Sequence, residues 1–534
     1  MNELTIDTIQ QKLAAGELTV RGLAEHYLAR IEAVDRDGPR LNAVIEVNPD
    51  ALTIADALDE ERRQARWLRT DRPEQRPEQA KRLGPLHGVP VLLKANIDTA
   101  DRMITDAGSL ALAGSIAARD AELVQRLRAA GALILGKANL SEWANYRGKH
   151  SVSGWSSRGG LTRNPYALDR SGCGSSTGSA VAVAADLCVV AVGTETDGSI
   201  TCPAAVNGIV GIKPTVGLIS GAGIIPIAHS QDTAGPMARS VTDAAVLLGA
   251  MAERVIGPST SHGMLRDDRL SVIGTETDAE ETPTTVQRLP FTDYRSFLDP
   301  DGLRGARIGV ARQYFGHHPR IDALAEASLA ALRRAGAVLV DLAEPLPDEE
   351  LGEYEGTVLR YEFKADLNAY LAGLGPDAPV RSLAEVIAFN EANRERVMPW
   401  FGQERMLAAQ EKGPLTDEAY LSALATAKRL AGPEGIDKAL AGQRLDAIVA
   451  PTTGPAWPID LVSGDCHGGS SCTSPAAVAG YPHITVPAGQ VFGLPVGLSF
   501  FAGAWSEGAL IRLAYAFEQA TLARRAPRFL PTVP

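Results

Sequence analysis

The stretch DAELVQRLRAAGALIL, residues 120–135, decides the fold. Between Asp120 and Ala130 the positions Ala121, Val124, Leu127 and Arg128 recur at helical spacing, and after Gly131 the run Ala132 to Leu135 has the short, uniformly apolar texture of a buried strand. Upstream, Val91 to Leu93 is a second such run, and downstream Val189 to Val192 is a third, with Gly, Ser, Thr and Asn between them. The order strand, helix, strand predicts an α/β layer fold, with the chemistry carried by the connecting loops.

Toward the N-terminus, Leu4, Ile6, Ile9 and Leu13, then Leu23, Ala24, Leu28 and Ile31, are spaced for helices, and a third helical pattern opens at Asp50-Ala51. Residues 1–70 are therefore expected to be N-terminal helices that clasp the core. The charged, Pro-containing Arg69 to Arg82, in which Arg-Pro-Glu-Gln occurs twice, reads as an exposed loop. Residues 258–290 are rich in Ser, Thr, Asp and Glu and read as a surface insertion between a core at 86–250 and a second half at 305–534. In that half, Arg307 to Ala311 and Val338 to Val340 predict strands around a helix at Ile321 to Ala335. A mainly helical region follows from Val358 to Leu430. Strands are expected at Ala447 to Ala450, His483 to Val486 and Val496 to Phe500, and a closing helix from about Glu507 to Ala523.

The 534 residues are 45% hydrophobic and 22% charged, the balance of a globular chain with a large core. A net charge of −12 without a basic run argues against nucleic acid and anionic lipid as partners. The N-terminus does not read as a signal peptide, and the apolar stretch Ala180 to Val192 is broken by Asp186 and too short to span a bilayer. The expectation is a cytoplasmic protein outside the membrane. Five cysteines do not form a disulfide framework for this length and are expected to be thiols. Cys466-His467 with Cys472 lacks the second ligand pair of a structural zinc site, so no metal is expected.

Two glycine-rich turns stand out. Ser171 to Ala180 packs Gly and Ser ahead of an alanine-rich helix signal, but Ser179 and Ala180 follow Gly178 where a phosphate-binding loop needs Lys. Gly174-Ser175-Ser176-Thr177-Gly178 formally matches a nucleophile elbow with Ser176 as nucleophile, which would need a distant His such as His467 or His483. The second turn, Gly193 to Ile200, leaves the apolar run Val189 to Val192 and carries Gly198-Ser199, a geometry that exposes a hydroxyl beside consecutive backbone N–H groups. Alone, the first is more simply a Gly/Ser loop and the second an ordinary strand-helix turn.

Lys94 changes that balance. It continues the apolar run Val91 to Leu93, and a buried lysine is costly unless it is used. Burial lowers its pKa, and a neutral amine can activate a serine. Alone, a lysine at a strand end would more simply snorkel.

Lys94, Ser175 in its Gly/Ser loop and Ser199 in its T-x-G-S-I-like turn, with the two serines 24 residues apart, together resemble the amidase signature family. The resemblance extends through Gly136 to Trp143, Thr162 to Pro165, Gly211 to Thr215 and Gln231 to Pro236. Asp197 and Cys202-Pro203, with Tyr361 to Lys364, Leu430 to Asp437 and Ala450 to Gly454, are most similar to its peptide-amidase branch. It implies a single α/β/α domain over 1–534 with a large mixed sheet covered by helices. It further implies Ser199 as nucleophile, Ser175, preceded by a cis peptide bond, as proton relay, and Lys94 as base. The backbone of Thr196, Asp197, Gly198 and Ser199 becomes the oxyanion hole, supported by Gly174 and Ser176. The implied reaction is hydrolysis of a carboxamide, foremost the C-terminal amide of peptides, with no cofactor. Aryl-amide or carbamate hydrolysis uses the same triad. The glutaminase component of a transamidation complex and an inactive scaffold are the remaining readings. Two departures from the family pattern are Ala95, where an acid usually follows the lysine, and Thr177, where a glycine is usual. Trp457, Tyr481 and Phe500 are candidate pocket aromatics, with core packing the equal alternative.

Overall fold

The strand-helix-strand unit forms where the apolar runs place it. In this computed structural model, which describes residues 3–70, 83–252, 291–376 and 378–534, Pro90–Lys94 and Leu133–Ala138 are parallel neighbours joined through helix Glu122–Ala129. The helix buries Leu123, Val124 and Leu127, and Gly131 turns the chain back at φ +82°, where a Cβ would collide with His87. The 258–290 insertion and most of the 69–82 loop lie outside the described residues.

In chain order the strands are Val44–Val47 (β1), Pro90–Lys94 (β2), Leu133–Ala138 (β3), the short pair Trp155–Ser156 (β4) and Gly160–Leu161 (β5), Val190–Glu195 (β6), Val210–Lys213 (β7) and Thr233–Ala238 (β8). The second half adds Arg307–Val310 (β9), Val338–Asp341 (β10), Ala447–Pro451 (β11), His483–Val491 (β12) and Leu494–Phe501 (β13). All but β4 and β5 join one 11-stranded sheet in the order β1-β3-β2-β6-β8-β7-β12-β13-β11-β9-β10. The sheet is mixed: β3, β2 and β6 run parallel, as do β11, β9 and β10, with antiparallel pairing between these groups. Every residue of β2, β3 and β6 is buried, as expected of parallel strands covered on both faces. Helices flank the sheet, giving the single α/β domain that the pattern implies.

The expected N-terminal helices are present at Ile6–Ala15, Val20–Arg30 and Ala51–Thr70, the first two capped by Thr5 and Thr19. Between the second and third of these helices lies a strand that the sequence reading did not name, β1, which pairs antiparallel with β3. The buried Asp35 carboxylate accepts the N–H groups of Ala43 (2.7 Å) and Val44 (3.0 Å) and so steers the chain into the sheet. The long helical region comprises Asp348–Ala372, Leu383–Ala392, Arg394–Val397, Glu404–Gln410 and Glu418–Ala431. Its residues Phe363, Leu367, Leu383 and Met406 share an apolar cluster with Ala95, Leu140 and Trp143, which seats it over the end of β2.

The reading of all five cysteines as thiols is also corrected: Cys173 and Cys202 form a disulfide, while Cys188, Cys466 and Cys472 are free. A count of cysteines cannot reveal a pair that only the sheet topology brings together. No helix among the described residues is long and apolar enough to cross a membrane.

Candidate active site

Lys94 ends β2 and Thr194 lies near the end of its parallel neighbour β6, so their side chains meet at the same edge of the sheet. Lys94 Nζ donates to Thr194 Oγ1 (2.8 Å), to the Thr194 carbonyl (3.1 Å) and to Ser175 Oγ (2.7 Å). Asn96 Nδ2 donates to the same Thr194 Oγ1 at 3.1 Å. Lys94 and Ser175 are both fully buried. Burial pushes the Lys94 ammonium down to about 7, with Asp232 and Glu195 opposing the shift.

Burial alone does not single out this lysine, because Lys137 and Lys213 are buried as completely, each held near 8. Their partners differ. Lys137 donates to the Ile97 carbonyl (2.5 Å) and Thr105 Oγ1 (3.0 Å), and Lys213 to the Pro214 carbonyl (3.2 Å). Of the three, Lys94 is the one hydrogen-bonded to a serine.

Ser175 follows Cys173 (φ +55°) and Gly174, and the Gly174–Ser175 peptide is cis. A side chain at Gly174 would collide with Ser141 Oγ, and Ser141 in turn donates its N–H to the Ser175 carbonyl at 3.1 Å. Ser176 Oγ donates to the Thr194 carbonyl (3.0 Å) and accepts the Thr194 N–H (3.1 Å), fastening the loop to β6. This leaves Ser176 occupied structurally, and neither histidine of the alternative reading serves it. His483 Nε2 pairs with Ser499 Oγ at 2.5 Å and His467 packs edge-on against Trp457. Thr177, the departure from glycine, donates its hydroxyl to the Cys173 carbonyl and closes the loop. From here helix Thr177–Ala184 begins, and Gly178 lets its backbone lie against Ala43 and Asn139, where a Cβ has no room.

The second turn follows β6. Gly198 adopts φ +74°, and a Cβ there would lie 3.1 Å from Thr473 Oγ1. Ser199, 9% exposed, remains just reachable from outside. Glu195 accepts the N–H groups of Ile200 (2.6 Å) and Thr201 (2.8 Å), which starts helix Thr201–Val206 directly behind Ser199. Desolvation raises the Glu195 pKa, and Lys213 and these N–H bonds counter it. Asp232 accepts Thr196 Oγ1 (2.5 Å) and the N–H groups of Ile227 and Ala228, while Gln231 Nε2 donates to the Thr196 carbonyl (3.2 Å) and to Glu355 Oε1 (2.8 Å). Desolvation raises Asp232 to about 6. Asp197 Oδ2 accepts from Ser474 Oγ at 2.6 Å, and burial raises its pKa. The two turns meet where the Ser176 N–H donates to the Ser199 carbonyl at 3.1 Å.

Thus Lys94, Gly174, Ser175, Ser176 and the turn Thr196–Ser199 converge at one end of β2 and β6. Thr194, Asn96, Ser141, Glu195, Gln231 and Asp232, which complete the framework, were not anticipated as site residues; all but Asn96 nonetheless lie within the motif stretches Gly136 to Trp143, Gly193 to Ile200 and Gln231 to Pro236. The three aromatics stay outside it: Trp457 Nε1 donates to Asp465, Tyr481 OH to Asp437, and Phe500 packs on Phe517 in the core. Ala95 lies in the apolar cluster described above, not among the Lys94 partners.

One group among the described residues has metal-binding donor chemistry. His229 Nδ1 lies 2.9 Å from Asp366 Oδ2 and Nε2 lies 3.6 Å from Glu362 Oε1. These donors satisfy one another, and Glu362 also accepts Tyr420 OH (2.8 Å) and the Ser230 N–H (3.0 Å). The cluster therefore clamps the Gln231-Asp232 loop to helix Asp348–Ala372. The Asp366 hydrogen bond raises the His229 pKa.

The family pattern described as Amidase matches residues 22–511, and the chain belongs to this family. A probable amidase of Arabidopsis thaliana is 41% identical over 99% of this chain and 92% of its own length. The crystal structure of native peptide amidase from Stenotrophomonas maltophilia is 51% identical, covers 99% of both chains and superposes with a TM-score of 0.84. A glutamyl-tRNA(Gln) amidotransferase chain of Symbiobacterium thermophilum is 34% identical over 97% of each chain. The protein is an amidase, an enzyme that hydrolyses amide C–N bonds.

Proposed function

We propose that the protein removes the C-terminal carboxamide of peptides through Ser199, Ser175 and Lys94. The observation that carries this reading is the 2.7 Å hydrogen bond from the buried Lys94 Nζ to Ser175 Oγ. A neutral lysine takes the Ser175 proton while Ser175 takes the proton of Ser199, whose Oγ attacks the amide carbonyl carbon. Backbone N–H groups of Thr196 to Ser199 receive the oxyanion, in a water-poor turn where such donors count most. As the C–N bond breaks, the relay runs backwards and protonates the leaving nitrogen, which departs as ammonia. Water then adds to the acyl-enzyme by the same relay and releases the free acid.

The similarity to the peptide amidase supports the peptide carboxamide as substrate. The similarity to an amidotransferase chain supports glutamine as a second candidate donor of ammonia. The test is ammonia release from a short peptide carboxamide and from glutamine, beside product assays on an anilide and a carbamate, each blanked with Ser199→Ala. Turnover of the peptide amide foremost is expected. Preference for another substrate would move the enzyme to that branch with its triad intact, whereas full activity in Lys94→Ala would overturn the relay. The sequence reading expects a cytoplasmic protein, but the Cys173–Cys202 disulfide favours an oxidising compartment. Fractionation of the native host decides between them.

A further inference from the structure

The disulfide brackets both serines of the site. Cys173 stands two residues before Ser175 and Cys202 three residues after Ser199, so one covalent bond joins the loop that carries the relay to the helix that follows the nucleophile. The two cysteines are 29 residues apart in sequence.

Each half of the bond is tied closely to a serine. Cys202 donates its N–H to the Gly198 carbonyl at 2.8 Å, closing the first helical turn over the nucleophile turn. Cys173, in the left-handed region that suits glycine better than a side chain, has its carbonyl held by the Thr177 hydroxyl and its N–H by Ser171 Oγ (3.1 Å). Other ties between loop and helix are neutral hydrogen bonds, among them the Asn164 Nδ2 bridge from the Ser171 carbonyl (3.3 Å) to the Val206 carbonyl (3.0 Å). Asn207 Nδ2 donates to the Gly172 carbonyl (2.9 Å), and the Ser176 N–H donates to the Ser199 carbonyl (3.1 Å). Such bonds are individually weak once water competes for them.

We propose that Cys173 and Cys202 are positioning residues whose disulfide fixes Ser175 against Ser199, so that opening it slows proton relay without removing any group that reacts. The proposal rests on the triad reading above. A dithiol opens the bond by thiol–disulfide exchange: its thiolate attacks one sulfur and displaces the other, its second thiol then closes on the mixed disulfide and displaces the first, and the products are two protein thiols and one cyclic disulfide. Both cysteines are buried members of a small apolar cluster with Tyr166, Val206 and Trp457, Cys202 being 7% exposed and Cys173 3%, so reduction is expected to be slow and to need a long incubation.

The experiment uses the full chain. A thiol-specific reagent in denaturant is expected to titrate three thiols before reduction and five after, matching Cys188, Cys466 and Cys472 plus the opened pair. Five at the outset would overturn the proposal. Dithiol treatment, and separately Cys173→Ser/Cys202→Ser, are then expected to lower kcat about ten- to a hundred-fold while KM moves less than about two-fold, because a misplacement of this kind costs reactivity more than binding. The double variant should no longer respond to dithiol, and re-oxidation should restore the parent chain. A lower melting temperature with unchanged kcat in the folded fraction would assign the bond to stability alone and overturn the positioning role. Fluorophosphonate labelling separates the readings: slowed labelling of Ser199 on reduction supports the proposal, unchanged labelling overturns it, and absence of labelling in the oxidised parent refutes the triad itself.

Discussion

Ser176 donates its backbone N–H to the Ser199 carbonyl across 3.1 Å, so the residue after the proposed relay serine and the proposed nucleophile are hydrogen-bonded neighbours. The Ser176 hydroxyl meanwhile serves both backbone groups of Thr194, whose side chain holds Lys94. One serine therefore links all three catalytic candidates.

Ser176→Ala leaves the Thr194 N–H buried and unpaired, at a cost of about 1–3 kcal/mol. Denaturant unfolding should register that loss, with kcat falling about ten-fold as the Lys94 acceptors shift. A fluorophosphonate should still label Ser199, whereas labelling lost only in this variant would make Ser176 the nucleophile.

The relay needs Lys94 neutral, and its pKa is lowered to about 7. The neutral fraction rises as pH rises through that value, so kcat/KM should climb on the acid side and level off above it. Lys94→Arg keeps its charge at every working pH and should lose activity by about 100-fold or more without recovering at high pH. A flat profile across neutrality would remove Lys94 as the base.

Gly198→Ala forces a side chain into φ +74° with its Cβ 3.1 Å from Thr473 Oγ1. The left-handed backbone alone costs roughly 1–2 kcal/mol, and displacing the oxyanion N–H groups should lower kcat by about 100-fold. Equal kcat in the variant and the parent would place the oxyanion hole elsewhere.

Ala95→Asp puts a carboxylate among Leu112, Leu140 and Trp143. The expected result is a stability loss of about 2 kcal/mol with little change in turnover per folded molecule. A gain in turnover would instead show that the missing acid limits this enzyme.

The parallel strands of the first half were legible because β2, β3 and β6 each contain an unbroken apolar run, Val91 to Leu93, Leu133 to Leu135 and Val190 to Val192. Strand β8 was not, since Thr233–Ala238 contains Gly235 and Pro236, residues that ordinarily argue against a central strand. It is central nonetheless, with Pro236 opposite Val192. β1 was hidden in a helical context because its course depends on Asp35, not on its own four residues. At the site, Lys94, Ser175 and Ser199 were legible through motif spacing. Thr194, Asn96 and Asp232 were not, because what each does is set by a contact across the fold. Asn96 meets Thr194 98 positions away, and Asp232 meets Thr196 36 positions away.

The junction of β7 with β12 bears on how the chain can be handled. Lys213, Ile212 and Gly211 pair with His483, Ile484 and Thr485 in the middle of the sheet, with no seam between the early and late strands. Cutting the chain between its halves would bare two buried hydrogen-bonding edges in the middle of the sheet, which is the recipe for insoluble product. It would also strip cover from Lys213, which balances Glu195 beneath the turn that carries Ser199. Truncation is thus the wrong route to a smaller catalyst from this scaffold, and shortening is better confined to surface loops.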